Sequence, residues 1–178
     1  MKPNMIYRLD RFGRGGHHRP FNDLGFAGVR IMESNENYNR QHQDIRIENG
    51  IKYGDVIEGV DFNYVKNLTS VNIINLVLIG SSPPPPKNLS IGGIVEPSVK
   101  FKWDKNNDDN IKGYKIYWRE TSSPHWQFSK YIGNVNNYTL DDVIIDNYFF
   151  SVTSVSVDGY ESIFECPSET FRNYSSLE

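Results

Sequence analysis

Val99-Lys100-Phe101-Lys102-Trp103 alternates apolar and charged residues, the pattern of a strand with one buried and one solvated face. Tyr114, Ile116 and Trp118 repeat it around Lys115, as do Tyr138 and Leu140, and then Tyr148, Phe150 and Val152. Turn-forming clusters stand between these runs: 104–110 (DKNNDDN), Gly133-Asn134, and Asp158-Gly159, which is a hairpin signal. Short strands at regular spacing predict an antiparallel sandwich, with Trp103, Tyr114, Leu140 and Tyr148 in its core.

The remainder of the chain reads differently. Ser81-Ser82-Pro83-Pro84-Pro85-Pro86 is the strongest punctuation, because consecutive prolines neither donate to a ladder nor continue a helix. It predicts a linker at 81–86 between a first domain at 1–80 and a second at 87–168, followed by a tail at 169–178. In the first part a helix is expected from Phe62 to Ile79, capped by Asp61 and closed at Gly80. A short helix is expected from Pro20 to Gly25, and strands at residues 5–9 and 27–33. Strand, helix and strand in that order suggest a piece of an α/β sheet.

Composition narrows the function. The chain has 178 residues, a formal net charge of −3 and a single cysteine. The balance lacks the basic face of a nucleic-acid binder, and one cysteine cannot form an intramolecular disulfide. No run reaches the roughly 18 apolar residues of a membrane-spanning helix. The opening MKPNMIYRLDRF lacks the apolar region of an export signal.

Two resemblances add to this reading. Residues 84–168 resemble a fibronectin type III domain, carried by Pro86-Lys-Asn-Leu89, Trp103, Gly113-Tyr-Lys-Ile-Tyr117, Tyr138-Thr-Leu140, Tyr148-Phe-Phe-Ser-Val152 and Asp158-Gly-Tyr-Glu-Ser162. The resemblance implies that Trp103 packs between the sheets and that the Tyr148 hydroxyl bonds to upstream backbone. The stretches Asp10-Arg-Phe-Gly-Arg-Gly-Gly-His-His-Arg-Pro-Phe21, Gly25-Phe-Ala-Gly-Val-Arg-Ile-Met-Glu33 and Glu36-Asn-Tyr-Asn-Arg-Gln-His42-Gln-Asp44 resemble the carboxyl-terminal part of a peptidase family M28 catalytic domain. That family comprises zinc exopeptidases with a mixed α/β sheet, and the branch resembled carries a fibronectin type III domain after the enzyme.

By this resemblance the fold is an α/β fragment, the C-terminal part of a zinc-exopeptidase mixed sheet, followed by an all-β sandwich. His42 matches the last zinc-binding histidine, with Asp44 placed to hold its other ring nitrogen. His18 matches a histidine of the family, with a structural role or a place lining the site as its two readings, and His17 stands where the family carries an aspartate. The family's other ligands and its glutamate base lie upstream of the matched stretches, so no catalytic residue is assigned here. Catalytic zinc takes three protein ligands and a water, so the chain is expected to be inactive alone. Zinc and peptide substrate belong to the complete enzyme, and the upstream catalytic segment is the expected partner. The parent family is secreted or periplasmic. Two other readings stand beside this one: a non-catalytic fibronectin type III module that binds or spaces, and a self-contained metal site of His17, His18, His42 and Asp44.

Overall fold

The computed structural model describes residues 4, 6, 13, 15–33 and 35–170. It divides into two compact units, Met1–Ser70 and Val71–Glu178, and the division falls inside a helix. The strand expected at residues 5–9 lies outside the described residues.

In the first unit, helix α1 (Arg19–Asp23) starts with proline in its first turn, where the missing N–H costs nothing and the fixed φ fits. It closes as the Leu24 N–H donates to the Phe21 carbonyl and Gly25 turns left-handed at φ +84°. The strand expected at 27–33 is not formed. Residues 26–33 make no sheet pairing among the described residues, and Val29 is 81% exposed. A strand exists only through a neighbour's hydrogen bonds, and the pairing in this unit occurs elsewhere. Strands β1 (Arg46–Glu48) and β2 (Ile51–Tyr53) form an antiparallel hairpin with Ile47 opposite Lys52. Its turn is Asn49-Gly50, both at positive φ (50° and 79°), as a two-residue type I′ turn requires.

A 3-10 turn at Ile57–Gly59 leads into α2 (Phe62–Ser81). The Asp61 carboxylate accepts from the Asn63 and Tyr64 N–H groups at 2.9 and 3.0 Å, the expected cap. The helix runs through Gly80 to Ser81 rather than closing at Gly80. The prolines stop it, since the residue before a proline is held out of the helical region, and the Ser82 hydroxyl bonds the Leu78 carbonyl at 2.5 Å. No residue of α2 is buried, and no helix among the described residues is long and apolar enough to cross a membrane.

The second unit contains the expected sandwich, built from β3 (Lys87–Gly92), β4 (Ser98–Asp104), β5 (Ile111–Glu120), β6 (Phe128–Gly133), β7 (Asn137–Asp141), β8 (Tyr148–Ser156) and β9 (Glu169–Thr170). One sheet has the order β7-β4-β3-β9 and the other β6-β5-β8. The alternation read from the sequence is the burial observed in β4, whereas β8 is buried on both faces from Phe150 onward. Val99, Phe101 and Trp103 are at most 2% exposed, and Tyr114, Ile116 and Val152 are fully buried. The Trp103 and Tyr114 rings lie 5.3 Å apart at the centre of this core.

The expected Tyr148 hydroxyl bond is absent among the described residues. Tyr148 is half-buried and packs its ring on Phe128 and Phe150. Tyr114 does that work. Its fully buried hydroxyl accepts from the Asn106 N–H at 3.0 Å and donates to Asn106 Oδ1 at 3.3 Å. A buried phenol must find a protein partner, whereas one at the sheet margin can use water.

On the outer face of β5, Glu161 accepts from Lys115 at 3.0 Å, Tyr117 at 2.5 Å and Thr153 at 3.3 Å. The Tyr117 phenol is pushed above its ordinary 10.0 by burial and by its bond to Glu161. Tyr117 and Glu161 together hold the Lys115 ammonium above its ordinary 10.5. For both groups the folded state keeps the proton longer than the unfolded state does. Their contribution is therefore complete below the ordinary values and is lost as pH rises through the folded ones. Denaturant midpoints measured upward from pH 9 should fall, and Tyr117→Phe should flatten that fall. An unchanged slope in the variant would remove Tyr117 from the account.

Candidate functional site

His42 closes a loop that Asn37 organises. The Asn37 carbonyl accepts from the Arg40 and Gln41 N–H groups at 3.0 and 3.2 Å, and its side chain accepts from the Asn39 N–H at 3.1 Å. Asparagine favours such turns because its side chain mimics a backbone acceptor. The Asn39 carbonyl accepts from the Gly54 N–H at 2.9 Å, which ties the loop to the end of the β1–β2 hairpin. Gly54 is required there: it sits at φ +95°, and a Cβ would come within 2.9 Å of the Ile45 Cα. The loop ends with His42 itself left-handed at φ +54° and exposed. This conformation costs a non-glycine residue about 1–2 kcal/mol and recurs at functional positions.

The two residues before His42 carry unpaired polar atoms. Arg40 Nη1 and Gln41 Oε1 are buried without a hydrogen-bond partner. The Arg40 side chain runs against Gly59, whose absent Cβ would lie 3.5 Å from its Nε. Beside it is an open hollow of about 420 Å³ lined by Arg40, Asp55, Val56, Ile57, Val60 and Phe62. Sequence reasoning passed over this feature, because neither arginine nor the apolar run Val56-Ile57 marks a site by type.

The other candidates stand apart. His18 is half-buried at the start of α1 and packs over Gly16, where a Cβ would meet its ring at 2.7 Å. Its carbonyl accepts from the Asn22 N–H, and Gly28 lies close against it. Gly16 and Gly28 therefore serve close packing around this turn. Asp44 is exposed, and no hydrogen bond joins it to His42; its carbonyl accepts from Arg46 at 3.4 Å. Among the described residues no three His, Cys, Asp or Glu side chains come together to hold a metal ion. Among the described residues His17, His18, His42 and Asp44 form no such group. They do not by themselves supply the three ligands a catalytic zinc needs, and no chemical step through zinc follows from them.

The fibronectin type III domain family matches residues 84–170, and this half of the chain is a fibronectin type III domain. The chain as a whole is similar to proteins named "Probable zinc metalloprotease". One from Pyrenophora tritici-repentis is 39% identical over 165 residues, covering 91% of this chain and 38% of that protein. The one from Phaeosphaeria nodorum is also 39% identical, covering 91% of this chain and 33% of that protein. The chain thus spans well under half the length of these relatives. Among solved structures, the fn3 domain of human collagen alpha-1(XX) chain is similar at 18% identity and a TM-score of 0.41, covering 55% of this chain and 95% of that one.

Proposed function

We propose that the chain is the C-terminal portion of a zinc-dependent exopeptidase of the M28 type, an aminopeptidase, with His42 as one zinc ligand and a fibronectin type III domain appended. The observation that carries this reading is the similarity to proteins named zinc metalloproteases over 91% of the chain. It runs through the half that contains His42 as well as the sandwich. The strained His42 backbone and the unpaired Arg40 and Gln41 atoms beside it support a binding role for the loop. Further ligands, the general base and most of the peptide-binding surface would come from the segments that make up the rest of the relatives' length. In this reading the chain alone binds no catalytic zinc and hydrolyses no peptide bond. Asp44 and His18 would line or support the assembled site.

The test combines the chain with the remaining portion of the Pyrenophora tritici-repentis relative, by fusion or co-expression. Bound zinc and release of amino acid from aminoacyl nitroanilides are then measured. The combination should bind zinc and turn over. His42→Ala should lower activity by more than the about 10–100-fold that loss of an outer-shell partner costs, with zinc lost in parallel. Unchanged zinc stoichiometry in that variant would show that His42 is not a ligand. Zinc-dependent turnover by the chain alone would overturn the division of the site.

A further inference from the structure

Strand β8 loses its outer neighbour before it ends. Val152 and Glu165 exchange both backbone hydrogen bonds at 3.0 Å, the Ser162 N–H donates to the Ser154 carbonyl, and the Ser156 N–H donates to the Tyr160 carbonyl. The even-numbered residues of β8 therefore turn their backbone groups outward, and the odd-numbered ones turn theirs toward β5. The register with β5 is unbroken from Ile116↔Val152 to Glu120↔Tyr148, so Phe150 and Tyr148 also face outward. Beyond Glu165 the chain crosses to the other sheet. There the Ser168 N–H donates to the Leu89 carbonyl, and β9 pairs with β3. Pro167, which has no N–H, lies at the crossing. The outward N–H and C=O groups of Phe150 and Tyr148 have no partner among the described residues, although Phe150 is only 4% exposed. Backbone groups so placed are rarely left unpaired.

They border an open groove of about 440 Å³ with Ile91, Trp126, Phe149 and Phe150 in its walls and Arg119 as its cation. The Arg119 guanidinium is held 4.4 Å from the centre of the Phe149 ring and 5.5 Å from that of Trp126, and one nitrogen donates to the Ser123 carbonyl. A guanidinium has five N–H donors, and among the described residues Arg119 forms no ion pair. Glu169 also lines the groove, from β9 of the other sheet, so the groove suits one carboxylate near Arg119 rather than an acidic run.

We propose that this edge docks an extended peptide segment bearing apolar residues and one carboxylate. The peptide adds a strand beside Tyr148–Phe150, turns apolar side chains toward Ile91 and Phe150, and places the carboxylate on Arg119. Backbone bonds then give affinity while the groove and Arg119 give selectivity, as in strand addition generally. The inference is independent of the peptidase reading.

The probe is Ac-Thr-Val-Glu-Val-Thr-NH₂, added to the isotope-labelled full chain. The Phe150 and Tyr148 amide signals should shift and their exchange should slow by about tenfold or more. A peptide N-methylated on alternate residues should lose binding in one of its two phases, the one that removes the donors facing β8. The Ac-Thr-Val-Lys-Val-Thr-NH₂ peptide should bind about tenfold more weakly, and Arg119→Glu should reverse that preference. Absence of shifts at millimolar peptide, or equal binding by both N-methylated peptides, would overturn the proposal. So would concentration-dependent dimerisation that protects Phe150 without peptide, since the occupant would then be a second copy.

Discussion

Replacing Trp103 by alanine is expected to destabilise the sandwich by about 3–5 kcal/mol, the range for deleting a large aromatic from a packed core. Trp103 is 2% exposed, closes the inward row Val99-Phe101-Trp103, and packs against the Tyr114 ring. Its indole N–H is buried without a partner, so its contribution comes from packing, partly offset by that unmet donor. The loss is comparable to the whole stability of a small domain. Trp103→Ala should therefore abolish the cooperative thermal transition at 37 °C and collapse the dispersion of amide signals from 87–170. A variant with a midpoint within a few degrees of the parent would show that Trp103 is not central to the core.

The sandwich was legible because each strand repeats one simple constraint. Val99, Phe101 and Trp103 could face only one way, and the lysines between them could face only the other. The first half was legible where a local rule acts alone. Asp61 caps α2 and Pro20 opens α1 through bonds made within a few residues. The strand expected at 27–33 failed because an apolar run says nothing about whether a neighbour is present to pair with it. The hairpin that does form was signalled by Asn49-Gly50, a stronger mark than the apolar run, and was passed over. Tyr114 keeps its expected place in the core and also makes the hydroxyl bond expected of Tyr148, because depth of burial, which decides which hydroxyl needs a protein partner, is a property of the whole packed sandwich. His42 is different again. Nothing in its neighbours' types separates a ligand from a loop histidine, so only the family resemblance singled it out. The left-handed backbone that distinguishes it depends on the Asn37 turn and on the Gly54–Asn39 bond. The departure of the chain from β8 was foreshadowed by Pro167, which cannot donate to a ladder.

The proline run supplies the second large effect. Composition alone suggests a stiff spacer at 81–86, open to solvent and to proteases. In the structure Pro83 and Pro86 are buried, and the segment is bonded along its length to the sandwich. The Ser82 hydroxyl shares its one hydrogen between the Leu78 carbonyl and the Glu161 carbonyl, the latter at 2.6 Å, and the Ser154 hydroxyl donates to the Pro84 carbonyl. Asn106 does most of the holding, because its amide donates to the Pro84 and Pro85 carbonyls at 2.7 and 3.1 Å while its oxygen accepts from Tyr114. Prolines have no N–H, so they can be fixed only through their carbonyls, and Asn106 meets two of them at once. Asn106→Ala removes three bonds and leaves the buried Tyr114 hydroxyl without its acceptor. At about 1 kcal/mol for each bond, the expected loss is about 2–3 kcal/mol. The same variant should release residues 82–86, so that hydrogen exchange at Lys87 and proteolysis near the prolines both accelerate, while Asp109→Ala on the adjacent exposed turn changes stability by less than about 0.5 kcal/mol. If Asn106→Ala proved as silent as Asp109→Ala, the prolines would be a spacer after all. If the loss is as large as expected, residues 82–86 are part of the folded domain, held to the sandwich by Asn106, Ser154 and Glu161.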